Sequence, residues 1–215
     1  MSKDGQIRIL AFDPGLSLSG WNVGLYDTTA KVYRVLKFGM LTPNKSIDTT
    51  DTHVDYVKYG SRVMTLQELR NQVRALMNEY HPDVVVSEDA FYNPKRPSAY
   101  SALVQWLTAV DLMLHDEYAK VLFKLAPTAA KQIVSGFGGA DKLGVQHAVL
   151  HREDIVFKSK HADENLTEHI CDSIGIGYTF AHEVLPALID LWETGYVKKV
   201  GKETPSDDEL RSRYC

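Results

Sequence analysis

Three groups of side chains in this sequence have types and spacings suited to chemistry on phosphate. Asp13 ends the apolar run QIRILAFD and is followed by Pro14-Gly15. An acid in that place is costly unless something pairs with it, although Asp-Pro-Gly is also good turn chemistry by itself. Glu88 repeats the pattern at the end of DVVVSE, with Asp89 next. An acid leaving a central strand points at the carboxyl edge of the sheet, where sites in α/β folds gather; a solvated strand end is the plainer reading. The third group is Glu168, His169 and Asp172. On a helix, positions 169 and 172 share a face, as do 168 and 172. Ile170, Cys171, Ile174 and Ile176 around them are apolar, so this helix packs on the sheet, and the polar groups sit on its packed side or at an ordinary amphipathic boundary. Three elements thus each present a carboxylate. Hard oxygen ligands at an open site favour Mg²⁺ or Mn²⁺ over zinc. Two such ions about 3.5–4 Å apart stabilise both the attacking and leaving oxygens of a phosphoryl displacement.

The elements that must position these groups follow from periodicity. Residues 6–13, 20–26 and 32–40 read as strands. Asp27-Thr28-Thr29 turns between the last two, so the three form an antiparallel meander. Residues 43–60 are polar and read as a long loop, unusual in a compact domain. From Arg62, the residues Val63, Leu66, Leu69, Val73 and Leu76 recur at helical spacing, and the helix stops at His81-Pro82. Residues 83–88 are a doubly buried strand. Ser98 is placed to cap a helix carrying Leu103, Trp106, Leu107, Val110 and Leu114. Residues 121–125 are a further strand. Pro127 suits the first turn of a short helix ending at Ser135-Gly136. Residues 142–152 and 165–182 are helical. The order β-β-β-α-β-α-β-α-α-α implies a mixed sheet, three antiparallel strands then two parallel ones, with helices on both faces. That is the order of the ribonuclease H-like fold. Actin-like kinases begin similarly but need two such domains, and 215 residues do not supply them.

Composition narrows the field further. Hydrophobic residues make 44% and charged residues 24%, as in a globular domain. No apolar run is long enough for a membrane span, and the first residues lack the apolar core of a signal peptide, so a cytosolic protein is expected. Cys171 and Cys215 form no CxxC pair, which excludes a disulfide framework or a cysteine zinc finger. The formal net charge of -4 argues against a non-specific nucleic-acid coat, but carboxylates that bind cations make a local surface positive towards a polyanion. The glycines of GFGGADK fail the spacing of a phosphate-binding loop, and no Ser or Thr follows Lys142, so no nucleotide cofactor is expected. His147 and His151 stand four apart without a third ligand and read as helix-surface histidines. A single domain over 1–200 with a disordered tail over 201–215 is expected.

The chain resembles the RuvC family of Holliday-junction resolvases over roughly residues 7–180. The opening IRILAFDPGLSLSGWNV is similar to the family's first motif, a strand ending in Asp-Pro-Gly with a glycine in the next strand. VVVSEDAFYNPKRPSA is similar to the second, APTAAKQIVSGFGGADKLGVQHAV to its lysine-bearing stretch, and EHICDSIGIG to its last motif. The lysine segment is the most specific, because no fold requires such a string. The resemblance leaves open a viral or phage-type member of the family, some of which are less strict about branched structure.

The resemblance implies a homodimeric, divalent-metal-dependent endonuclease. It would cut opposed strands of four-way or branched DNA symmetrically, leaving 5′-phosphate and 3′-hydroxyl ends, in a bacterial or phage-infected cytosol. Asp13, Glu88, His169 and Asp172 are then the ligands of two Mg²⁺ or Mn²⁺ ions. His169 stands where many members have Asp, and Glu168 is one residue out of register. Lys131 and Lys142 would approach the scissile phosphate. Phe91 and Tyr92 would stack on a splayed base, with Lys95 and Arg96 on phosphates. A less selective branched-DNA or RNA–DNA hybrid nuclease on the same fold is the alternative. Trp106 and Leu107 belong either to the core or to a dimer face. Residues 156–166 and the stretch beyond about 186 look inserted relative to the family.

Overall fold

The computed structural model describes residues 5–43, 60–158 and 166–194. The expected loop (apart from its end residues) and tail, residues 44–59 and 201–215, lie outside the described residues, as does the proposed boundary at 200. The compact unit Met1–Ala181 holds one six-stranded sheet in the order β5-β4-β1-β2-β3-β6. Strands β1 (Gln6–Asp13), β2 (Ser19–Asp27) and β3 (Val32–Leu41) form the antiparallel meander. Asp27 closes its second turn by accepting from the amides of Thr29 and Ala30 at 2.9 and 2.8 Å. β4 (Val84–Glu88) lies parallel to β1, and β5 (Leu122–Leu125) parallel to β4. The mixed sheet expected from the order of elements is therefore present.

Side chains alternate across each strand, and β1 shows what that does. Leu10 and Phe12 face one layer, covered by α1 (Ser61–Tyr80) and α2 (Pro97–Tyr118). Phe12 meets Trp106 edge to face at 5.7 Å between ring centroids. Trp106 and Leu107 are both buried in this layer, which settles them as core. Ser98 does not cap α2: Arg96 stands at the cap position and makes no side-chain bond there. Pro97 needs no N–H partner and its fixed φ suits the first turn, so the helix starts two residues earlier than a cap at Ser98 would give.

The other face receives α5 (Glu168–Thr179), against which α3 (Pro127–Ser135) and α4 (Lys142–His151) pack. This helix lies very close to the sheet. A Cβ on Gly20 would come within 1.9 Å of the His169 carbonyl oxygen. Buried polar groups fix the register of the contact. The Tyr33 hydroxyl donates to Asn22 Oδ1 at 2.7 Å, Asn22 Nδ2 donates to Ser173 Oγ at 3.3 Å, and the Ser173 hydroxyl donates to the Ile170 carbonyl at 2.7 Å. Because each member has a partner, the network holds the helix in one place rather than leaving unpaired groups in the core. Thr167 and Asp141 cap α5 and α4 through their side-chain oxygens.

One expectation is corrected here. Ile155–Phe157, at the start of the stretch read as an insertion, is a sixth strand, β6, parallel to β3 with Tyr33 opposite Ile155. Three residues are too few to show a period of two. Asp154 anchors the strand's approach, accepting from Arg152 Nε and Nη2 at 2.8 and 2.9 Å and from the Tyr178 hydroxyl at 2.6 Å. Residues 159–165 lie outside the described residues. After Thr179 the backbone widens into a π turn, Phe180–Val184, just before Pro186, which has no N–H to continue an α-helical ladder. The second unit, His182–Cys215, holds α6 (Leu185–Glu193). Among the described residues no helix is long and apolar enough to cross a membrane.

Candidate active site

Strand pairing brings the first two acids together. Phe12 pairs with Ser87 in the parallel ladder, so the next residues, Asp13 and Glu88, stand side by side at the carboxyl ends of adjacent central strands. Asp13 is also opposite Gly20 in the antiparallel ladder. The absent side chain at Gly20 is what lets the first turn of α5 descend onto that spot. His169 therefore lands on Asp13: its Nδ1 lies 2.6 Å from Asp13 Oδ2. This hydrogen bond fixes the orientation of the imidazole ring. Asp172 follows one turn later and lines a cleft of about 120 Å³ with Glu88 and Lys131. The structure thus gathers Asp13, Glu88, His169, Asp172 and Lys131 from four separate elements.

The electrostatics of this cluster are unbalanced. Glu88 is pushed up to about 8, first by burial and then by the charges of Asp13 and Asp172. Asp172 is pushed up to about 6, again first by burial, with Asp13 and Glu168 adding and Lys131 and His169 partly offsetting. The His169 imidazole is raised, mainly by its bond to Asp13. Carboxyls that resist ionisation beside other carboxylates mark a place short of positive charge. Among the described residues no three His, Cys, Asp or Glu side chains are grouped so as to hold a metal ion by themselves. An open set of hard oxygens with one imidazole suits ions that retain water and share their ligands with a phosphate. The donor types present are those of hard divalent cations and do not resemble a structural zinc site.

The remaining predicted residues are distributed around this cluster. Lys142 does not reach into the cleft. Its ammonium pairs with Glu168 Oε1 at 2.5 Å, and Glu168 is correspondingly engaged at the rim. Phe91, Tyr92, Lys95 and Arg96 are exposed on the turn that leaves the end of β4 beyond Glu88. Tyr92 meets Tyr100 edge to face at 5.4 Å, and the Asn93 side chain closes the turn by accepting from the Lys95 amide at 2.9 Å. His147 and His151 are exposed and stacked at 4.0 Å, with His151 Nδ1 bonded to the His147 carbonyl, as surface histidines.

Two supports escaped the sequence reading. The Ser19 hydroxyl clasps the turn after Asp13, donating to the Gly15 carbonyl at 2.6 Å and accepting from the Gly15 amide at 2.9 Å. A serine four residues after a Pro-Gly turn is the signal that could have found it. The Lys142–Glu168 pair joins two elements far apart in sequence and had no local signal.

A mixed sheet of this order, with acids ending β1 and β4 and on the helix that crosses them, defines a nuclease-type ribonuclease H-like fold. The model of the family described as crossover junction endodeoxyribonuclease RuvC matches residues 9–177, and the chain belongs to that family. A crossover junction endodeoxyribonuclease RuvC of Alkaliphilus oremlandii is 25% identical over 174 residues, covering 81% of this chain and 92% of the relative. Among solved structures, Thermus thermophilus RuvC superposes with a TM-score of 0.62 at 20% identity, covering 84% of this chain and 97% of that one. The same organism's RuvC in complex with a Holliday-junction substrate gives 0.55 at 16% identity, covering 81% and 93%.

Proposed function

We propose that the chain is a divalent-metal-dependent resolvase that nicks four-way DNA junctions in symmetric pairs. The observation that carries this reading is the desolvated cluster of Asp13, Glu88 and Asp172, with Glu88 raised to about 8 and Asp172 to about 6, at the carboxyl end of the sheet in a chain of this family. A Thermus thermophilus relative of the same fold is described in complex with a Holliday-junction substrate, which supports four-way DNA as the substrate class.

Asp13, Glu88, His169 and Asp172 would hold two Mg²⁺ or Mn²⁺ ions, whose chemistry there would be to lower the pKa of a water and offset charge on the reacting phosphate. Asp13 orients the imidazole through Nδ1. Lys131, on the cleft wall, faces the scissile phosphate and stabilises its developing charge. Lys142 anchors phosphate at the rim. Phe91 and Tyr92 stack on an unpaired base, while Lys95 and Arg96 hold backbone phosphates. Two opposed nicks need two sites related by a two-fold axis, so the working form is a homodimer. The products would carry 5′-phosphate and 3′-hydroxyl ends.

The test is gel cleavage of a mobile four-way junction beside flap, Y-shaped and RNA–DNA hybrid substrates, with Mg²⁺ and with Mn²⁺. Paired nicks that ligase can seal, on the four-way substrate first, support the reading. Equal cutting of flaps or hybrids replaces it with a general branch nuclease. Light scattering that finds a monomer both free and on junction DNA overturns the dimer.

A further inference from the structure

We infer that Phe137 is a wedge that presses on a nucleobase beside the scissile phosphate and sets which sequence is cut. The inference rests on the nuclease reading above and adds a specificity-determining residue to it. Among the described large apolar side chains, Phe137 is one of the three most exposed, at 66%, with Leu143 at 74% and Phe91 at 68%. A single exposed apolar side chain needs no explanation by itself. What marks Phe137 is that it is held out on a stiff support.

The turn carrying Phe137 is braced from α3. Gly136 ends that helix in the left-handed region at φ 77°. Gln132 spans the turn, donating from Nε2 to the Gly136 carbonyl at 3.0 Å and accepting the Gly138 amide on Oε1 at 2.7 Å. The Ser135 hydroxyl oxygen accepts the Phe137 amide at 3.3 Å. The Ala140 amide donates to the Phe137 carbonyl at 3.0 Å. The Phe137 ring folds over Gly139, where a Cβ would meet it at 2.8 Å. A side chain there would push the ring away. The backbone of this turn is hydrogen-bonded in place and the ring is exposed before anything binds, so the segment loses little entropy on contact.

The position of the turn identifies the occupant. It connects Lys131, on the wall of the acid cleft, to Lys142, tied to Glu168 beside His169. A flat apolar ring on the short turn that joins two lysine-bearing helices matches a ligand that alternates anionic groups with flat apolar faces. A DNA strand has that chemistry: its phosphates suit the lysines and its bases the ring.

The experiment compares wild type with Phe137→Ala, Phe137→Leu and Phe137→Trp on four-way junctions whose bases around the cut site are varied one at a time. Single-turnover rates are read at saturating protein. In parallel, 2-aminopurine is placed at each nucleotide flanking the mapped cut, and its fluorescence is followed in Ca²⁺. Phe137→Ala should cut the preferred sequence about tenfold more slowly, as expected for one lost base–aromatic contact. The spread of rates between sequences should shrink, and one 2-aminopurine position should lose its response. Phe137→Trp should restore both and Phe137→Leu only part. Melting temperatures of all variants should match wild type, because the ring is exposed. Unchanged rates, spread and fluorescence in Phe137→Ala overturn the wedge while leaving the nuclease reading intact. Loss of the dimer in Phe137→Ala with unchanged fluorescence assigns the ring to a protein interface instead and also overturns it. A wild type that nicks no branched DNA overturns the nuclease reading and the wedge with it.

Discussion

Replacing Glu88 by Gln should stabilise the metal-free protein at alkaline pH while abolishing cleavage. The folded-state carboxyl lies at about 8 against an ordinary 4.5, because of burial first and then Asp13 and Asp172. A raised folded value means that the folded chain holds its proton more tightly than the unfolded chain. Its contribution to stability is complete below 4.5 and is lost as pH rises through about 8. The whole gap corresponds to about 5 kcal/mol. Because that penalty is coupled to Asp13 and Asp172 and partly offset by Lys131, one substitution recovers a fraction of it, about 1–2 kcal/mol. For a domain of this size that is about 2–8 °C in melting temperature. The assay is thermal unfolding of both proteins in chelator at about pH 5 and about pH 8, repeated with Mg²⁺. The variant should gain little at the lower pH and several degrees at the higher one. Added Mg²⁺ should stabilise wild type more than the variant, since a ligand stabilises the state it binds. A variant no more stable than wild type at about pH 8 would refute the crowding argued for the cleft, whatever happens to cleavage.

The other predictions concern neighbouring parts of the same site. His169→Asp should keep cleavage within about tenfold of wild type and His169→Ala should lose at least about a hundredfold, with single-turnover rates as the check; a harmless Ala beside an inactive Glu168→Ala would move the ligand to Glu168. Lys131→Ala should slow cutting at saturating protein more than it weakens binding, whereas Lys95→Ala and Arg96→Ala should each reduce the log–log salt slope of junction binding by about one. Gly20→Ala should destabilise by about 3 kcal/mol and lower activity further, since its Cβ would meet the His169 carbonyl at 1.9 Å; wild-type melting and rate together would show that α5 does not rest on β2 there.

The acid positions were legible because each ends a run whose apolar character makes a charge conspicuous. QIRILAFD and DVVVSE each place one carboxylate where burial would otherwise exclude it. Parallel pairing of β1 with β4 then needs no further instruction to set Asp13 beside Glu88. The strand Ile155–Phe157 was not legible, because its pairing with β3 is non-local and three residues carry no pattern. The start of α2 was displaced by Pro97, whose backbone preference overrode a capping serine. Lys142 was readable as a charge near the site, but its partner Glu168 is specified only by how α4 packs on α5.

The spacing between α5 and the sheet decides how much of the site exists before any ligand arrives. His169 contributes to the cluster only because Gly20 lets the helix backbone approach β2, and Asp172 only because the same helix continues across β1. The Tyr33–Asn22–Ser173 chain fixes that approach with groups that are not among the proposed ligands. Removing it would leave every acid in the sequence and disperse their geometry. A Tyr33→Phe variant leaves Asn22 Oδ1 buried without its donor, which costs about 1–3 kcal/mol. It should loosen α5 and lower cleavage without touching a proposed ligand. Amide hydrogen exchange across 168–179 is the direct readout. Faster exchange there with unchanged exchange in β1 would show that the helix, and not the sheet, limits the order of the site. Unchanged exchange in the helix would show that the close approach at Gly20 is sufficient by itself.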